Sequence, residues 1–295
     1  MKKVGDIGEE ELVARIVGGL KGAGRLVLGP GDDCGVVERE GRLELLKTDA
    51  VVGGVHFLAE DKPERVGWKA VARVFSDFAA MGGWPREILV TVLFPRETGV
   101  KWVEGLYAGI SRCVDEFGAV VAGGETGAVP DGGPIVISIA GTGAVEAQQL
   151  VRRSGGKAGD ILFVTGRLGG SIRGKHLDFI PRLEEAKWLV SNFQLTAMMD
   201  LSDGLGRDLP RLARASGTGF QLEEAELPCS DLCGVSEAVG DGEDYELLFS
   251  VGADQAARLE ESWPLQFPDL ELTRIGFLTN AEKSKLDGGW QHFSD

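Results

Sequence analysis

The stretch Gly29-Pro30-Gly31-Asp32-Asp33 constrains this chain more than any other. Glycine and proline punctuate it and no apolar period runs through it, so it must be a turn. It ends in adjacent carboxylates, which repel each other unless something cationic lies between them. The same placement recurs. The apolar run 43–46 leads into Lys47-Thr48-Asp49, and Asp77, Glu125, Asp200 and Asp203 follow at intervals. Each of these acids stands at or within an apolar or glycine-rich segment, not on a polar face. Magnesium takes hard oxygen ligands, usually one or two carboxylates with waters and phosphate oxygens. Several ions around one triphosphate would need several such acids, so these are expected to converge on magnesium carrying a nucleotide triphosphate.

Composition narrows the partners. A net charge of −15 argues against nucleic acid or an anionic membrane surface. Three histidines are too few for a histidine-based metal centre. Cys34, Cys113, Cys229 and Cys233 show no paired zinc-ligand spacing and read as reduced thiols of a cytoplasmic protein. Met1-Lys2-Lys3 runs at once into acids, unlike a signal peptide, and no apolar run is long enough to span a bilayer. At 295 residues and 43% hydrophobic content the chain can bury a large core. The polar stretch 146–160, with Gly155, Gly156 and Gly159, reads as a junction between two domains, 1–146 and 147–295.

Periodicity predicts helices over 7–20 (ended by Gly22 and Gly24), 63–81 with Pro63 at its first position, 98–118 capped by Thr98, 183–193, 254–262, and one reaching Ala215 capped by Ser202 or Asp203. It predicts strands over 35–39, 43–48, 87–94, 134–145, 161–165, 245–249 and 270–278, a short buried strand at 119–122, and a strand end or loop at 51–57. Strands and helices mix without a strict βαβ rhythm, which favours an α+β class over a doubly wound sheet.

Each candidate has a plainer reading. Asp32-Asp33 could be turn residues, and Thr48-Asp49 a cap. Asp77 falls among Phe75, Phe78 and Met81, where a charge is costly unless paired or metal-bound. Its plain alternative is an ion pair with Arg73, four residues earlier. Gly123-Gly124-Glu125-Thr126-Gly127 would let backbone approach phosphate, yet it has neither Walker nor dinucleotide spacing and serves equally as a turn. In Asp200-Leu201-Ser202-Asp203-Gly204-Leu205, capping accounts for Asp203 but not for Asp200 inside an apolar run. Arg152-Arg153 could grip phosphates or line a solvated junction. His56 and Trp290 are ordinarily core or surface residues, although a flat aromatic near the end could stack on a ring.

Taken together, Gly31-Asp32-Asp33-Cys34, Thr48-Asp49 with Gly54-Val55-His56-Phe57, Ser76-Asp77-Phe78-Ala79-Ala80-Met81-Gly82, Arg153-Ser154-Gly155-Gly156-Lys157-Ala158-Gly159-Asp160, Asp200 to Leu205, and Gly242-Glu243-Asp244-Tyr245-Glu246-Leu247 occur in this order. The set resembles the thiamine-monophosphate kinase family, in the PurM-like superfamily shared with aminoimidazole ribonucleotide synthetase, selenophosphate synthetase and a hydrogenase maturation protein. The closing Gly-Trp-Gln-His-Phe and the Gly-Glu-Asp-Tyr-Glu-Leu stretch look specific to the kinase. The resemblance implies a two-domain PurM-like fold, each domain a mixed sheet packed with helices, with the N-terminal sheet forming a homodimer. It implies ATP- and magnesium-dependent transfer of the γ-phosphoryl group to thiamine monophosphate. By position, Asp33, Thr48, Asp49, Asp77, Glu125, Asp200 and Asp203 would hold several Mg2+ ions. Gly124, Glu125, Arg153 and Ser202 would touch ATP, and His56, Glu243 and Trp290 would touch thiamine monophosphate. No residue is assigned as nucleophile or acid–base, because the acceptor is already an ionised phosphate.

The chain departs from the family at Lys47, where a small hydroxyl residue is usual and an ammonium could stand in for one magnesium. It departs also at Val74 for asparagine, at Glu125 and Gly127 for Asp and Thr, at Asp241 for glycine, and in a shortened segment 171–198. These departures keep open a nucleotide-binding relative that has lost transfer. Other superfamily ligases fit less well: no cysteine precedes Cys34 in a glycine-rich N-terminal segment, and none follows Cys233.

Overall fold

The computed structural model describes residues 2–20, 24–280 and 284–290. Gly22 and the closing Gln291, His292 and Phe293 lie outside them. In chain order the elements are α1 (Gly8–Val17), β1 (Leu26–Leu28), β2 (Gly35–Arg39), β3 (Arg42–Val52), α2 (Pro63–Ala80), β4 (Trp84–Phe94), α3 (Val100–Glu116), β5 (Val120–Ala128), β6 (Val136–Val145), β7 (Ile161–Thr165), α4 (Lys175–Asp178), α5 (Leu183–Asn192), β8 (Leu195–Asp200), α6 (Leu205–Ala215), β9 (Gly219–Leu222), α7 (Val235–Gly240), β10 (Leu247–Val251), α8 (Ala253–Gln266) and β11 (Leu272–Thr279). Two sheets result, in the orders β1-β2-β3-β6-β4-β5 and β8-β10-β7-β11-β9. All pairings are antiparallel except β4 with β5. This is the expected α+β class, and the sheets divide the chain between Val145 and Ile161. No helix among the described residues is long and apolar enough to cross a membrane.

The first sheet has two unlike faces. On β3, Leu45 and Val51 are buried while Leu46, Thr48 and Ala50 face out, the alternation a half-covered strand requires. Helix α2 covers the inner face and is itself packed on α3. Two glycines permit that contact: a Cβ at Gly67 would lie 2.0 Å from the Leu106 carbonyl, and one at Gly109 would lie 1.9 Å from that of Glu64. Pro63 occupies the start of α2 as predicted. Helix α2 is also the bridge to the second half. Trp68 Nε1 donates to the Phe179 carbonyl at 2.7 Å, and one continuous hydrophobic core includes Phe75 and Phe78 as well as Phe163 and Phe249.

Several boundaries differ from the sequence expectation. β3 continues to Val52, taking in half of the stretch read as a strand end or loop. Thr98 does not cap α3, whose N-cap is Gly99. The region 119–127 is not a short buried strand running into a turn; β5 passes through the glycines as an exposed nine-residue edge strand. A Cβ at Gly124 would sit 1.9 Å from the Val90 carbonyl, so glycine serves the close approach of a neighbouring strand. α6 starts at Leu205, and neither Ser202 nor Asp203 caps it. The bond runs the other way: the Asp208 carboxylate accepts from the N–H groups of Ser202 and Asp203, both at 3.0 Å.

Candidate active site

A cleft of about 510 Å³ opens where α2 meets the second sheet, within the range usual for small-molecule sites. Its walls include Lys47, Asp49, His56, Asp77, Arg153, Asp200, Ser202, Asp203, Glu243 and Trp290. They come from segments far apart in the chain. Lys47 and Asp49 point inward from β3, Asp77 comes from the last turns of α2, and Arg153 from the connection between sheets. Asp200 ends β8 and Asp203 follows in the turn before α6.

At the floor, oxygens of Asp33, Asp77 and Asp200 lie within 4.8 Å of one another, and all three residues are buried. Asp77 pairs with Lys47 at 2.6 Å, not with Arg73 as the plain alternative had it. Arg73 instead lies 3.5 Å from Asp49 and donates to the Ala50 carbonyl. Arg153 pairs with Asp33, Ser76 donates to Asp200 at 2.6 Å, and Arg211 pairs with Asp203. Asp33 Oδ2 is buried without a hydrogen-bond partner among the described residues. Burial pushes the Asp77 carboxyl well above the usual range; Lys47 opposes this, while Asp200, Asp49 and Asp33 add to it. Asp200 is pushed up to about 6 by burial and by Asp33. Asp32, whose carboxylate accepts from the Arg153 N–H, is also raised to about 6 by burial and Asp33. Crowded, incompletely compensated carboxylates with an orphaned oxygen are what a hard divalent cation satisfies, so this donor set fits magnesium.

The cleft's other end is organised by Lys69, a fully buried lysine that the sequence reading passed over. Its Nζ lies 2.6 Å from the His56 carbonyl, 2.6 Å from His176 Nδ1 and 2.7 Å from Glu243 Oε2. Burial lowers Lys69 to about 8. Burial works against the Glu243 carboxylate, yet His176 and Lys69 hold it down at about 2. Glu243 and Tyr245 both adopt left-handed backbone, φ 64° and 52°. Such strain persists only where surroundings over-determine it. Here Glu243 and Tyr245 donate their N–H groups to the Ser202 and Leu201 carbonyls, and the Tyr245 ring stacks on Phe179 at 4.0 Å.

Three expected residues are not brought to this cleft. Thr48 alternates with Lys47 and Asp49, so its side chain points to the sheet's outer face. Gly124 and Glu125 lie on β5, in register with Val90 and Thr91 and three strands away from β3. Glu125 shares the outer face with Thr91, Ser138 and Ala50.

Residues 31–145 match the family AIR synthase related protein, N-terminal domain. The thiamine-monophosphate kinase of Rhodopirellula baltica is 34% identical over 91% of this chain and 88% of its own length. That of Aquifex aeolicus is 32% identical over 89% and 92%. This chain belongs to the thiamine-monophosphate kinase family. A solved structure, AaThiL complexed with AMPPCP and TMP, superposes with a TM-score of 0.86 at 30% identity over 99% of both chains. The hydrogenase maturation protein in the HypE-HypF complex shares the fold, with a TM-score of 0.75 at 18% identity.

The sequence reading missed the contacts that Lys69, His176 and Ser76 make in the cleft. One signal was available: Lys69, Arg73 and Asp77 recur every four residues, which puts three charges on one face of an otherwise apolar helix. The departure at Asp241 has a visible role, since its carboxylate accepts from the Gly170 N–H at 2.8 Å.

Proposed function

We propose that this chain transfers the γ-phosphoryl group of ATP to thiamine monophosphate, giving thiamine diphosphate and ADP, with Mg2+ held by the cleft acids. The observation that carries this is the convergence of Asp33, Asp77 and Asp200, from three distant segments, on one buried point. Asp49 and Asp203 line the same cleft. An acceptor-phosphate oxygen attacks the γ-phosphorus in line as the bond to the β,γ-bridging oxygen breaks. The acceptor is ionised, so no side chain need remove a proton, and positioning with charge stabilisation supplies the catalysis. Bound Mg2+ would offset the mutual repulsion of the two anions. Arg153 is suited to hold a phosphate: its Nε–H is buried with no hydrogen-bond partner among the described residues, and its guanidinium already reaches the cluster. Ser202 lines the same cleft, and Glu243, whose N–H donates to the Ser202 carbonyl, lines it together with His56 and Trp290, where the thiamine moiety would sit. Purified protein given ATP, Mg2+ and thiamine monophosphate should form thiamine diphosphate; ATP binding by calorimetry with no product would favour a relative that has lost transfer.

The assembly we propose is a homodimer through the outer face of the first sheet. That face carries Leu46, Thr48, Ala50, Leu89, Thr91 and Ser138, with Leu89 51% exposed. Gly124 and Glu125 would reach phosphates or ions only through such an assembly. Leu89→Asp should shift the sedimentation coefficient to that of a monomer and weaken ATP binding; an unchanged dimer would count against this interface.

A further inference from the structure

One cation of the cleft is built into the sheet. Lys47 lies in the middle of β3, one residue past the last β2 pair (Gly35 with Leu46), and registers against Gly141 of β6. Its side chain shares the inner face with Asp49, and its Nζ donates to Asp77 Oδ1 at 2.6 Å. Asp77 is in turn one of the three acids whose oxygens meet. We infer that Lys47 is a resident counter-ion of the site, occupying the place of one divalent cation, so that this chain assembles its nucleotide complex with one ion fewer than a chain carrying a small residue at 47. The inference rests on the reading of the cleft as a magnesium-dependent phosphotransfer site.

Geometry separates Lys47 from the other cleft cations. Arg153 hangs from the connection between the sheets and keeps a buried donor without a partner among the described residues, so it can turn toward an arriving phosphate. Lys47 is anchored on a strand interior to the sheet, paired with β6 at its own position, and its ammonium can swing only within the reach of its own stem. Paired metal ions in phosphoryl-transfer sites stand roughly 3.5–4 Å apart and share ligands between them. Asp77 bridges two ions most readily through its two oxygens. With Oδ1 engaged by an ammonium, Oδ2 is the oxygen left open to an ion. The ammonium supplies charge and orientation but no coordination position and no metal-bound water. The four acids Asp33, Asp49, Asp77 and Asp200 thus have one of their compensating charges in place before any ion arrives.

The test counts ions. Protein saturated with a non-hydrolysable ATP analogue is titrated with Mn2+, and free Mn2+ is followed by electron paramagnetic resonance. Lys47→Ser should bind one more Mn2+ per chain than wild type, and Lys47→Arg the same number as wild type. Without divalent ions, Lys47→Ser should unfold at a lower temperature than wild type, and Mn2+ should raise its midpoint by more. Wild-type crystals give an independent readout that needs no variant: an anomalous map should show no Mn2+ bonded to Asp77 Oδ1. Equal counts in wild type and Lys47→Ser, or an ion on that oxygen with Lys47 displaced, would overturn the role of Lys47 and leave the metal reading standing. No Mn2+ bound by either protein would overturn both.

Discussion

Two buried carboxylate centres in this chain behave in opposite ways. Glu246, just ahead of β10, is 1% exposed and accepts from Arg182 at 2.7 and 2.8 Å, Lys175 at 3.0 Å and the Thr165 hydroxyl at 2.8 Å. Burial works against its charge, yet Arg182 and Lys175 bring its pKa below the ordinary glutamate value. The Asp33, Asp77 and Asp200 cluster is as deeply buried, and there burial wins: Asp77 and Asp200 are pushed up. Both centres are acids in a low-dielectric interior; they differ in how far the chain itself compensates the charge. Glu246 has two cations for one carboxylate, whereas the cluster has an orphaned oxygen and acids that raise one another. A buried acid whose partners are all fixed in the chain is structural. One whose partners fall short is where a mobile cation belongs.

The sharpest way to break this comparison is to neutralise one acid from each centre. Asp77→Asn should lower turnover by roughly 10²–10³-fold, the scale of losing one aligned electrostatic contribution to phosphoryl transfer, while the metal-free protein stays folded. Glu246→Gln should do the reverse. It leaves Lys175 and Arg182 facing a neutral amide in a buried site, so stability should fall by about 3–5 kcal/mol with turnover per folded molecule retained. Steady-state kinetics and denaturant unfolding of both variants check the pair. If Glu246→Gln lost turnover and kept its stability, or Asp77→Asn did the opposite, the two centres would have been assigned the wrong way round.

The same contrast explains what could be read from the sequence. Asp77 and Asp200 stood out because they interrupt apolar runs, and an uncompensated charge in such a run is conspicuous in one dimension. α2 was legible for an equally local reason, an apolar period opened by Pro63 and stopped at Gly82. What stayed hidden was pairing at a distance. Lys69 meets His176 and Glu243, 107 and 174 residues away, and Asp77 finds its partner on β3 in place of the nearby Arg73. β5 was misread because glycines signal turns locally, whereas here they admit a neighbouring backbone. The outward direction of Thr48 and Glu125 follows from strand register, which residue type alone does not give.

A smaller and more general effect is expected in pH. Asp200 and Asp32, both near 6, lie above the ordinary aspartate value of 3.8. A carboxyl raised on folding contributes stability that is fully present below its unfolded value and is lost as pH climbs through the folded one. Asp208, at about 7, and Asp244, at about 6, are both raised chiefly by burial and share that sign outside the acid cluster. Glu246 has the opposite sign, since its lowered value means stability lost only as pH falls below the ordinary carboxylate range. Lys69, near 8, and Glu243, near 2, titrate mostly outside the interval between. The metal-free protein should therefore lose stability as pH rises from about 4 to about 7, Asp32, Asp200 and Asp244 each accounting for at most on the order of 3 kcal/mol and Asp208 for about 4 kcal/mol. Divalent ions replace the proton as partner of the cleft acids only. Mg2+ should thus flatten the part of the fall due to Asp200 and leave that of Asp32, Asp208 and Asp244, and its affinity should rise with pH through about 6. Thermal unfolding across this range, with and without Mg2+, reads both effects. A metal-free midpoint that rises over the interval would mean that the cluster is compensated from within the chain, as Glu246 is, and would remove the distinction between the two centres.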